Sequence, residues 1–371
     1  MPAGACARRG GRRRASSAAR PLPPRRRAGP GAPGRARSAP PPRAWRRPGA
    51  ARPRCTPRRR RRGRPGPANS GNTAARRRSG SPPRLAQRRA VRTTLMRVTI
   101  HLVNARDALS LRPFVQPVCE QVFASSGFAR DVDGIDLDEL RARARALVEH
   151  RPRTRVELSR ELAERFPHRE PASLAYAFTF LEPLVHVPPR GLWGESGPAA
   201  LTTVASWLGR PADAVTSPED AVVRYLAAFG PATIADVAKW SRVSGLRPVV
   251  ESLRPRLRTF RDESGRELFD VPGAPLPDPD TPAPPRFLPE YDNVLLSHAD
   301  RTRIIPPGSP RLPLPAGNGA RAGSFLVDGF LRGSWRLEDG ALRLEPFTPL
   351  TRREAGALDH EAKRLRAFVA G

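Results

Sequence analysis

The distribution of charge along the 371-residue sequence limits which part of it can fold. Residues 1–90 contain 28 arginines and no lysine, aspartate or glutamate, and the first carboxylate is Asp107. The other 38 basic residues and all 35 acidic residues lie in 91–371, which therefore carries a net charge of only +3. Residues 1–90 have too few large apolar side chains to offset the entropy lost on ordering. We predict that residues 1–87 are disordered.

Two interpretations of this arginine-rich segment remain open. A blocky basic tail is typical of an arm that contacts nucleic-acid phosphates independently of sequence. The alternative is that the segment is out of frame or has the wrong start. Nearly all its residue types have G or C at the second codon position, as a shifted frame of a GC-rich gene would give. Residues 91–371 use 36 arginines and 2 lysines, which also indicates such a gene, and we expect this second interpretation.

The sequence contains no pattern that indicates a membrane, a metal or a cofactor. No run approaches the ~18 apolar residues of a membrane span, and the start lacks the apolar region of a signal peptide. Of three cysteines, only Cys119 lies outside residues 1–90, and the six histidines show no metal-ligand spacing. We expect a cytoplasmic, nucleoid-associated monomer without metal or cofactor.

The middle of the sequence has the same order of elements twice, and the second copy is the clearer one. A helix begins at Ser217 and is stopped by Gly230, a Thr233/Asp236 capping box opens the next, and a third follows from Leu246. The segment "RLRTFRDESGRELFDVP" then predicts two short strands around the turn "DESG".

The first copy follows this order more loosely. "IDLDELRARARALVEH" and "EPASLAYAFTFL" predict its first and third helices, and Thr154 with Glu157 forms a capping box that opens the second. "LVHVPPRGLWGESGPAALTTV" then predicts strand, wing and strand. Three helices followed by a β-hairpin is the order of a winged helix. We therefore predict tandem winged helices over 131–210 and 215–272.

The remaining segments complete an α+β fold class. "TLMRVTIHLV" predicts a strand or buried segment, and a helix around Asp107 is expected to break at Pro113 before a second helix ends at Phe123. Residues 273–285 are a proline-rich linker. Residues 286–371 predict a small β-rich C-terminal domain, with "DG" turns at 328 and 339 and a terminal helix.

Side chains of the two predicted wings and of the second copy's third helix are the candidate DNA contacts. A winged helix puts its third helix in the major groove and its wing against phosphates, which the planar guanidinium group binds in two-point contact. The candidates are Arg247, Arg254, Arg256, Arg258, Arg261 and Arg266 in the second copy, and Arg190 and Trp193 in the first. The alternatives are solvated charges balanced by nearby acids, and a tryptophan packed beneath its wing. Double-stranded DNA is the expected partner.

Six ordered motifs give the sequence a resemblance to a known family. From about Arg88 onward, the sequence resembles the family of actinobacterial AlkZ-like DNA glycosylases. The motifs that carry this resemblance are "RTTLMRVTIHLV", "RGLWG", "YLAAFGPATIADVAKW", "LRTFRDESGRELFDVP", "PRFLPEYDNVLLSHADRTR" and "FLVDGFLRGSWRLE". The resemblance implies tandem winged helices that form a C-shaped channel for duplex DNA. It implies an activity that excises bulky alkylated purines or unhooks interstrand crosslinks. It also implies that residues 88–130 are the remnant of a first winged-helix module.

The family's catalytic motif is missing from this sequence. That motif is a glutamine, a hydrophobic or small residue, and then glutamine or aspartate, upstream of the segment matched by "TLMRVTIHLV". Residues 1–90 hold only Gln87, while Gln116 and Gln121 lie downstream and five apart. No catalytic residue is carried over, and we expect a DNA binder that lacks the motif as written. An active glycosylase is expected instead if the true N-terminus lies in another frame, and a protein-binding scaffold is the third alternative.

The resemblance transfers a softer set of site residues. The set is Arg97, His101, Tyr291, Asp292, Asn293 and His298. The first two, in "LMRVTIH", would lie near the family's site, and the other four fall in a signature segment without an assigned role. For Tyr291 and His298 the alternative is a packed, hydrogen-bonded turn.

Overall fold

The computed structural model describes residues 84–370, apart from 193–194, 196, 213–216, 279, 313–321 and 339–340. The predicted disordered segment, 1–87, lies outside the described residues except for its last four. Those four belong to a turn in which Leu85 is buried and the Arg84 carbonyl oxygen accepts hydrogen bonds from the backbone N–H groups of Arg89 and Ala90. Order is therefore present four residues before the predicted boundary at 88, because this leucine is buried.

The described chain is a mixed α/β structure. Its α-helices are α1 (Ala105–Ala124), α2 (Gly127–Asp131), α3 (Leu137–His150), α4 (Arg155–Ala163), α5 (Pro171–Leu181), α6 (Val204–Leu208), α7 (Pro218–Phe229), α8 (Ile234–Ser241), α9 (Arg247–Leu253) and α10 (Arg352–Ala370). Its strands are β1 (Ala90–Thr94), β2 (Ile100–Asn104), β3 (Arg153–Thr154), β4 (Leu184–Val187), β5 (Ala200–Thr203), β6 (Arg258–Arg261), β7 (Glu267–Asp270), β8 (Arg286–Leu288), β9 (Gly323–Val327), β10 (Phe330–Glu338) and β11 (Ala341–Pro346).

The strands form three antiparallel sheets, with the orders β2-β1-β4-β5-β3, β11-β10-β9-β8 and β6-β7. The segment predicted as a single strand or buried stretch, "TLMRVTIHLV", spans the turn of the β1–β2 hairpin, with a 3-10 turn at Met96–Val98. This hairpin joins the largest sheet where Arg92 pairs with His186 and Thr93 with Val185. Residues far apart in the sequence thus become neighbours on one sheet.

Helices α3, α4 and α5 and strands β3, β4 and β5 form what we call the first three-helix unit (residues 137–203). Its core contains the fully buried Leu140, Leu158 and Phe178. The predicted capping box at the start of α4 is confirmed, since Thr154 Oγ1 accepts from the Glu157 N–H and Glu157 Oε2 accepts from the Thr154 N–H. Strand β3 pairs with β5 and closes the unit.

Helices α7, α8 and α9 and strands β6 and β7 form the second three-helix unit (residues 218–270). The predicted Thr233/Asp236 capping box is confirmed. Ser217 precedes α7 as predicted, but its hydroxyl donates to Glu219 Oε2 at 2.7 Å and makes no capping bond to the backbone. A carboxylate two residues along the chain therefore competes with the cap that the sequence predicts.

Gly230 ends α7 as predicted, but in an extended conformation with φ of −67° instead of the left-handed one. A Cβ atom at this position would lie 2.4 Å from Asp270 Oδ1 and 2.6 Å from the carbonyl oxygen of Leu226. Close approach of the hairpin to the end of the helix, and not backbone handedness, therefore requires glycine here.

Helix α1 is continuous, so the predicted break at Pro113 is wrong. Pro113 cannot donate the usual helical hydrogen bond, a defect that costs about 3 kcal/mol in a helix interior. The helix continues because Leu111, Val115 and Val118 on its buried face pack into the protein core. Burying three such side chains offsets a cost of that size.

The C-terminal part contains β8–β11 and α10. The predicted "DG" turn at 328 is confirmed between β9 and β10, whereas the one at 339 lies outside the described residues. Leu358 on α10 is buried against Phe325 and Val327. The linker predicted at 273–285 contains neither helix nor strand in its described residues.

Candidate nucleic-acid interface

A cleft of about 440 Å³ lies between the β1–β2 hairpin and the segment 289–296. Five of the six residues transferred by the resemblance line it: Arg97, His101, Tyr291, Asp292 and Asn293. The fold therefore brings together two sequence motifs that are almost two hundred residues apart. Exposed Tyr291 and the apolar Ile100 and Leu102 give the cleft a partly hydrophobic wall.

Arg97 ties the hairpin turn to two other parts of the molecule. Its Nη1 donates to the carbonyl oxygen of Trp240 at 2.9 Å, and its Nη2 donates to Asn293 Oδ1 at 2.7 Å. Burial lowers the pKa of this guanidinium group. Arg97 and the next residue, Val98, have φ of 59° and 57°, which is unusual for side chains other than glycine. The turn is thus held in a sparsely populated conformation by long-range hydrogen bonds.

His101 is a buried, neutral group in the cleft wall. Its Nδ1 donates to the carbonyl oxygen of Thr99 at 2.9 Å, since a carbonyl can only accept. Burial lowers its pKa to about 4, and the positive charge of Arg97 acts in the same direction. At neutral pH the imidazole therefore carries no charge.

Asp292 is the half-buried carboxyl group of the cleft. Its Oδ1 accepts from the backbone N–H of Val294 at 2.8 Å, and burial raises its pKa. Tyr291 beside it is 60% exposed. The cleft lining thus offers a carboxyl group less acidic than usual and an exposed aromatic ring.

His298 does not lie in this cleft. It is buried, its Nε2 donates to the carbonyl oxygen of Phe229 at 3.2 Å, and its ring packs against Phe229 and Tyr225. Tyr225 in turn donates its hydroxyl to the carbonyl oxygen of Ser297 at 2.8 Å. His298 therefore lies in the packed, hydrogen-bonded turn that the sequence left open as an alternative.

Two of the predicted arginines of the second three-helix unit form ion pairs with carboxylates of the protein. Arg254 donates from Nη1 and Nη2 to Glu267 at 2.8 and 2.9 Å, and from Nε to Glu251 at 2.7 Å. Hydrogen bonds to Glu267 and Glu251 raise its pKa. Arg266 pairs with Asp262 and, at 2.9 Å, with Asp300. These guanidinium groups are neutralised within the protein.

The other predicted arginines of this unit are more accessible. Arg247, at the start of α9, and Arg256 are exposed. Arg258 lies over the ring of Phe260, its guanidinium carbon 5.1 Å from the centroid. Arg261 is exposed and donates to the carbonyl oxygen of Gly265 at 2.9 Å. The hairpin therefore presents a mixed surface of free and paired charge.

In the first three-helix unit, Arg190 is exposed after β4 and donates to the carbonyl oxygen of Gly197 at 3.1 Å. Its predicted neighbour, Trp193, lies outside the described residues. The fold also brings Arg92 and Arg155 close to His186, near Arg190. The sequence patterns did not single out these two arginines, because they belong to different elements and no local spacing connects them.

The chain's three glutamines do not line the cleft. Gln116 on α1 donates to Glu120 Oε1 at 2.8 Å and to the carbonyl oxygen of Leu181 at 3.2 Å. Gln121 and Gln87 are exposed elsewhere. Within the described ranges, no group of three or more His, Cys, Asp or Glu side chains could hold a metal ion. No helix in the same ranges combines the length and apolarity needed to cross a membrane.

Comparison with known proteins finds a curated relative, a solved structure of similar fold and a family profile that match this chain. A curated relative described as an interstrand DNA cross-link repair glycosylase, from Streptomyces sahachiroi, is 25% identical over 299 residues, covering 74% of this chain and 78% of its own length. The solved structure of the Streptomyces sahachiroi DNA glycosylase AlkZ matches the fold with a TM-score of 0.56. That match has 23% identity and covers 77% of this chain and 80% of the other. A family profile described as DNA glycosylase AlkZ-like matches residues 73–368. The chain therefore belongs to the AlkZ-like DNA glycosylase family.

Proposed function

We propose that this protein binds duplex DNA through two tandem winged helices and acts in DNA repair. The observation that carries the proposal is the repeated order of three helices and a β-hairpin, in which the hairpin also receives a short strand from between the first two helices. That strand is β3 in the first three-helix unit and the bridge between Ala232 and Phe269 in the second. This arrangement supports the assignment of both units as winged helices, a common type of DNA-binding module.

The two third helices have different roles. In α5, Leu174, Ala175 and Phe178 are buried, so this helix serves mainly as core. In α9 the exposed residues include Arg247 and Glu251, so this helix has a face that is free to enter a groove. We assign α9 as the recognition helix and extend the two domains over 131–210 and 215–272, followed by the linker and a C-terminal domain over 286–371. A monomer in the cytoplasm, associated with the nucleoid, suits such a partner.

Removal of alkylated or crosslinked bases is the second candidate function. It is favoured by family membership, because a curated relative is described as repairing interstrand DNA crosslinks. An N-alkylated purine leaves as a stable base, so the enzyme's main task is to hold a water against C1′ of the nucleotide. In the cleft, Asp292 has a carboxyl group suited to hold a water molecule, whereas glutamine amides are absent from the described lining.

A salt titration tests DNA binding. Fluorescence anisotropy with a labelled duplex is measured for the full chain and for a chain that begins at residue 84, so that the arginine-rich segment is separated from the rest. The proposal predicts that the shorter chain binds, with an affinity that falls linearly in log–log form as salt rises. Flat or absent binding by the shorter chain would contradict it and favour the protein-binding scaffold.

An excision assay tests the second candidate. The protein is incubated with a duplex that contains an alkylated purine or an interstrand crosslink, and abasic sites are revealed by alkaline cleavage. The matched control is Asp278→Asn, at an exposed position on the linker. Loss of activity in Asp292→Asn but not in this control would support hydrolysis in the cleft. DNA binding without abasic sites would leave the protein as a binder without this chemistry.

A further inference from the structure

We propose that Arg92, Arg155 and Arg190, which surround His186, form a binding cluster for the phosphodiester backbone of DNA beside the first three-helix unit. We call these four residues the basic cluster. The inference rests on the proposed DNA binding and names a site for it that lies outside the predicted recognition helix.

The four residues of the cluster come from different elements that the fold brings together. Arg92 on β1 and His186 on β4 are register partners on neighbouring strands, so their side chains share one face of the sheet. Arg190 follows β4 after three residues, and Arg155 is the first residue of α4. Two strands, a turn and a helix start thus bring three guanidinium groups together.

These three arginines have no acidic partner in the part of the chain that the structure describes. Among the described residues, none of the three forms an ion pair, although neighbouring arginines do: Arg153 pairs with Glu161 at 2.7 Å and Arg151 with Glu157 at 3.5 Å. Gathering like charges without a carboxylate is unfavourable unless an anion binds there. The cluster is therefore an anion site by its charge.

The charges around His186 are positive. Burial lowers the pKa of His186 to about 4, and Arg92, Arg155 and Arg190 all act in the same direction. Burial also lowers the pKa of Arg92, and the nearby charge of Arg190 adds to this. His186 feels three positive charges and its Nδ1 has no hydrogen-bond partner in the described part of the chain. The local potential is thus strongly positive.

Two of the cationic side chains are held by neighbouring groups. The guanidinium carbon of Arg155 lies 4.6 Å from the ring centroid of Tyr176, a cation–π contact that restrains the side chain. Arg92 runs against Gly191, where a Cβ atom would lie 2.4 Å from Arg92 Cδ. Gly191 has φ of 96° and leaves room for this contact. Such preorganisation reduces the entropy lost on binding.

A cavity lies beside the cluster. Arg155 and His186 line this cavity of about 400 Å³, together with Thr94 and Thr154. The exposed apolar side chains Ile100 and Val156 lie at its edge. A cationic group suits a phosphate, and flanking apolar side chains suit the sugar next to it. A phosphodiester fits this lining better than a free phosphate ion does.

Site-resolved labelling of arginine tests the inference in the full chain. Phenylglyoxal modification, read by mass spectrometry, is compared without DNA, with a short duplex and with inorganic phosphate at the same phosphate concentration. Arg160, exposed on α4 outside the cluster, is the matched control. We expect the duplex to slow modification of Arg155 and Arg190 roughly tenfold, since each guanidinium would be held in a charge-assisted hydrogen bond. We expect Arg160 to be unchanged.

The outcomes separate this inference from the proposed function. Duplex bound in a parallel anisotropy measurement, with Arg155 and Arg190 modified as in the free protein, would overturn the cluster and leave DNA binding intact. Equal protection by inorganic phosphate would replace the phosphodiester with a free phosphate. No binding of duplex at all would overturn the proposed function and the cluster together.

Charge-retaining variants provide the second measurement. Arg155→Lys with Arg190→Lys should keep the salt dependence of duplex binding, whereas Arg155→Gln with Arg190→Gln should reduce the slope of log affinity against log salt by about 2, at ~0.9 for each phosphate contact. The arginine-rich segment is present in every variant, so the difference between slopes reports the cluster. Equal slopes for the lysine and glutamine pairs would overturn the inference.

Discussion

Within the described ranges, both three-helix units contain paired and unpaired arginines, but three unpaired ones gather around a single histidine beside the first unit. In the second unit, Arg254 is held by Glu251 and Glu267, and Arg266 by Asp262 and Asp300. In the first unit, Arg155 and Arg190, with Arg92 of the adjoining hairpin, have no carboxylate partner among the described residues. The comparison teaches that the number of arginines in a wing does not predict where an anion binds. What matters is whether the protein itself neutralises them.

The largest effect is expected from removing the charge of the basic cluster. Arg92→Gln, Arg155→Gln and Arg190→Gln combined should lower duplex affinity near 0.1 M salt by roughly two orders of magnitude, because about three phosphate contacts are lost. Anisotropy titrations measure the change. Arg143→Gln with Arg160→Gln, which alters exposed arginines on α3 and α4, is the control and should change affinity far less. Equal losses in both sets would show that the basic cluster contacts DNA no more than other exposed arginines of the same unit do.

The second effect concerns His186 of the first unit and His298, which packs against α7 of the second unit. Burial lowers the pKa of both, but the charges that act on His186 are all arginines, whereas His298 has Asp236 and Asp300 as well as Arg303 nearby. The folded-state pKa of His186, about 4, is below the usual 6.5, so the unfolded chain binds the proton first. Stability should therefore be lost as pH falls from about 6.5 towards 4, by about 2 kcal/mol between pH 7 and pH 5.

Denaturant unfolding at pH 7 and pH 5 measures this loss, and His186→Gln should lose less stability over that interval than the unaltered protein. The matched control is His168→Gln, at an exposed position outside the sheet. The same pH dependence in all three proteins would mean that burial among these arginines does not lower the pKa of His186.

The third effect is expected when a paired arginine of the second unit is released from its carboxylates. Glu251→Gln with Glu267→Gln releases Arg254, so duplex affinity should rise by roughly tenfold, which corresponds to one added phosphate contact. Titration with the same duplex measures it. Glu263→Gln, at an exposed position in the hairpin turn outside the arginine pairs, reports the effect of lost negative charge alone. If duplex affinity rises no more than in that control, the ion pairs of Arg254 are not what keeps it from contacting DNA.

The smallest expected effect is on the melting temperature when residues 1–83 are removed. That segment has almost no large apolar side chains, so it contributes little to the core. Differential scanning calorimetry should give the same melting temperature for both chains. A drop of more than a few degrees, which corresponds to about 1 kcal/mol or more, would contradict the prediction.

Features that depend on a few adjacent residues could be predicted from the sequence. Both capping boxes, at Thr154 and Thr233, follow from a side chain and its partner three residues on, and both are present in the structure. The order of helices and strands in the two units was predicted for the same reason. Local chemistry is sufficient for these elements.

Features that depend on distant packing could not be predicted in this way. Helix α1 continues through Pro113 because its buried face packs against other elements. Arg254 meets Glu267 only when α9 and β7 are brought together. Arg92 meets His186 across more than ninety residues of sequence. The alternative that nearby acidic residues balance these arginines is therefore correct for some of them. Which arginines are paired could not be predicted from the sequence alone.

The candidate cleft shows both situations. Five of the six residues transferred by the family resemblance line it, because their two motifs form the hairpin and the segment on either side of the cleft. His298 falls in the same motif but faces the core between Phe229 and Tyr225. A motif thus indicates a neighbourhood and not which of its side chains face the ligand.

A structure of the protein bound to a short duplex tests the central claim most directly, through the distance from each guanidinium group to the nearest phosphate oxygen. We predict that Arg155 and Arg190 lie within hydrogen-bonding distance, about 2.7–3.2 Å, while Arg254 keeps both of its glutamates. Phosphates on Arg254, with Arg155 and Arg190 left in solvent, would contradict it.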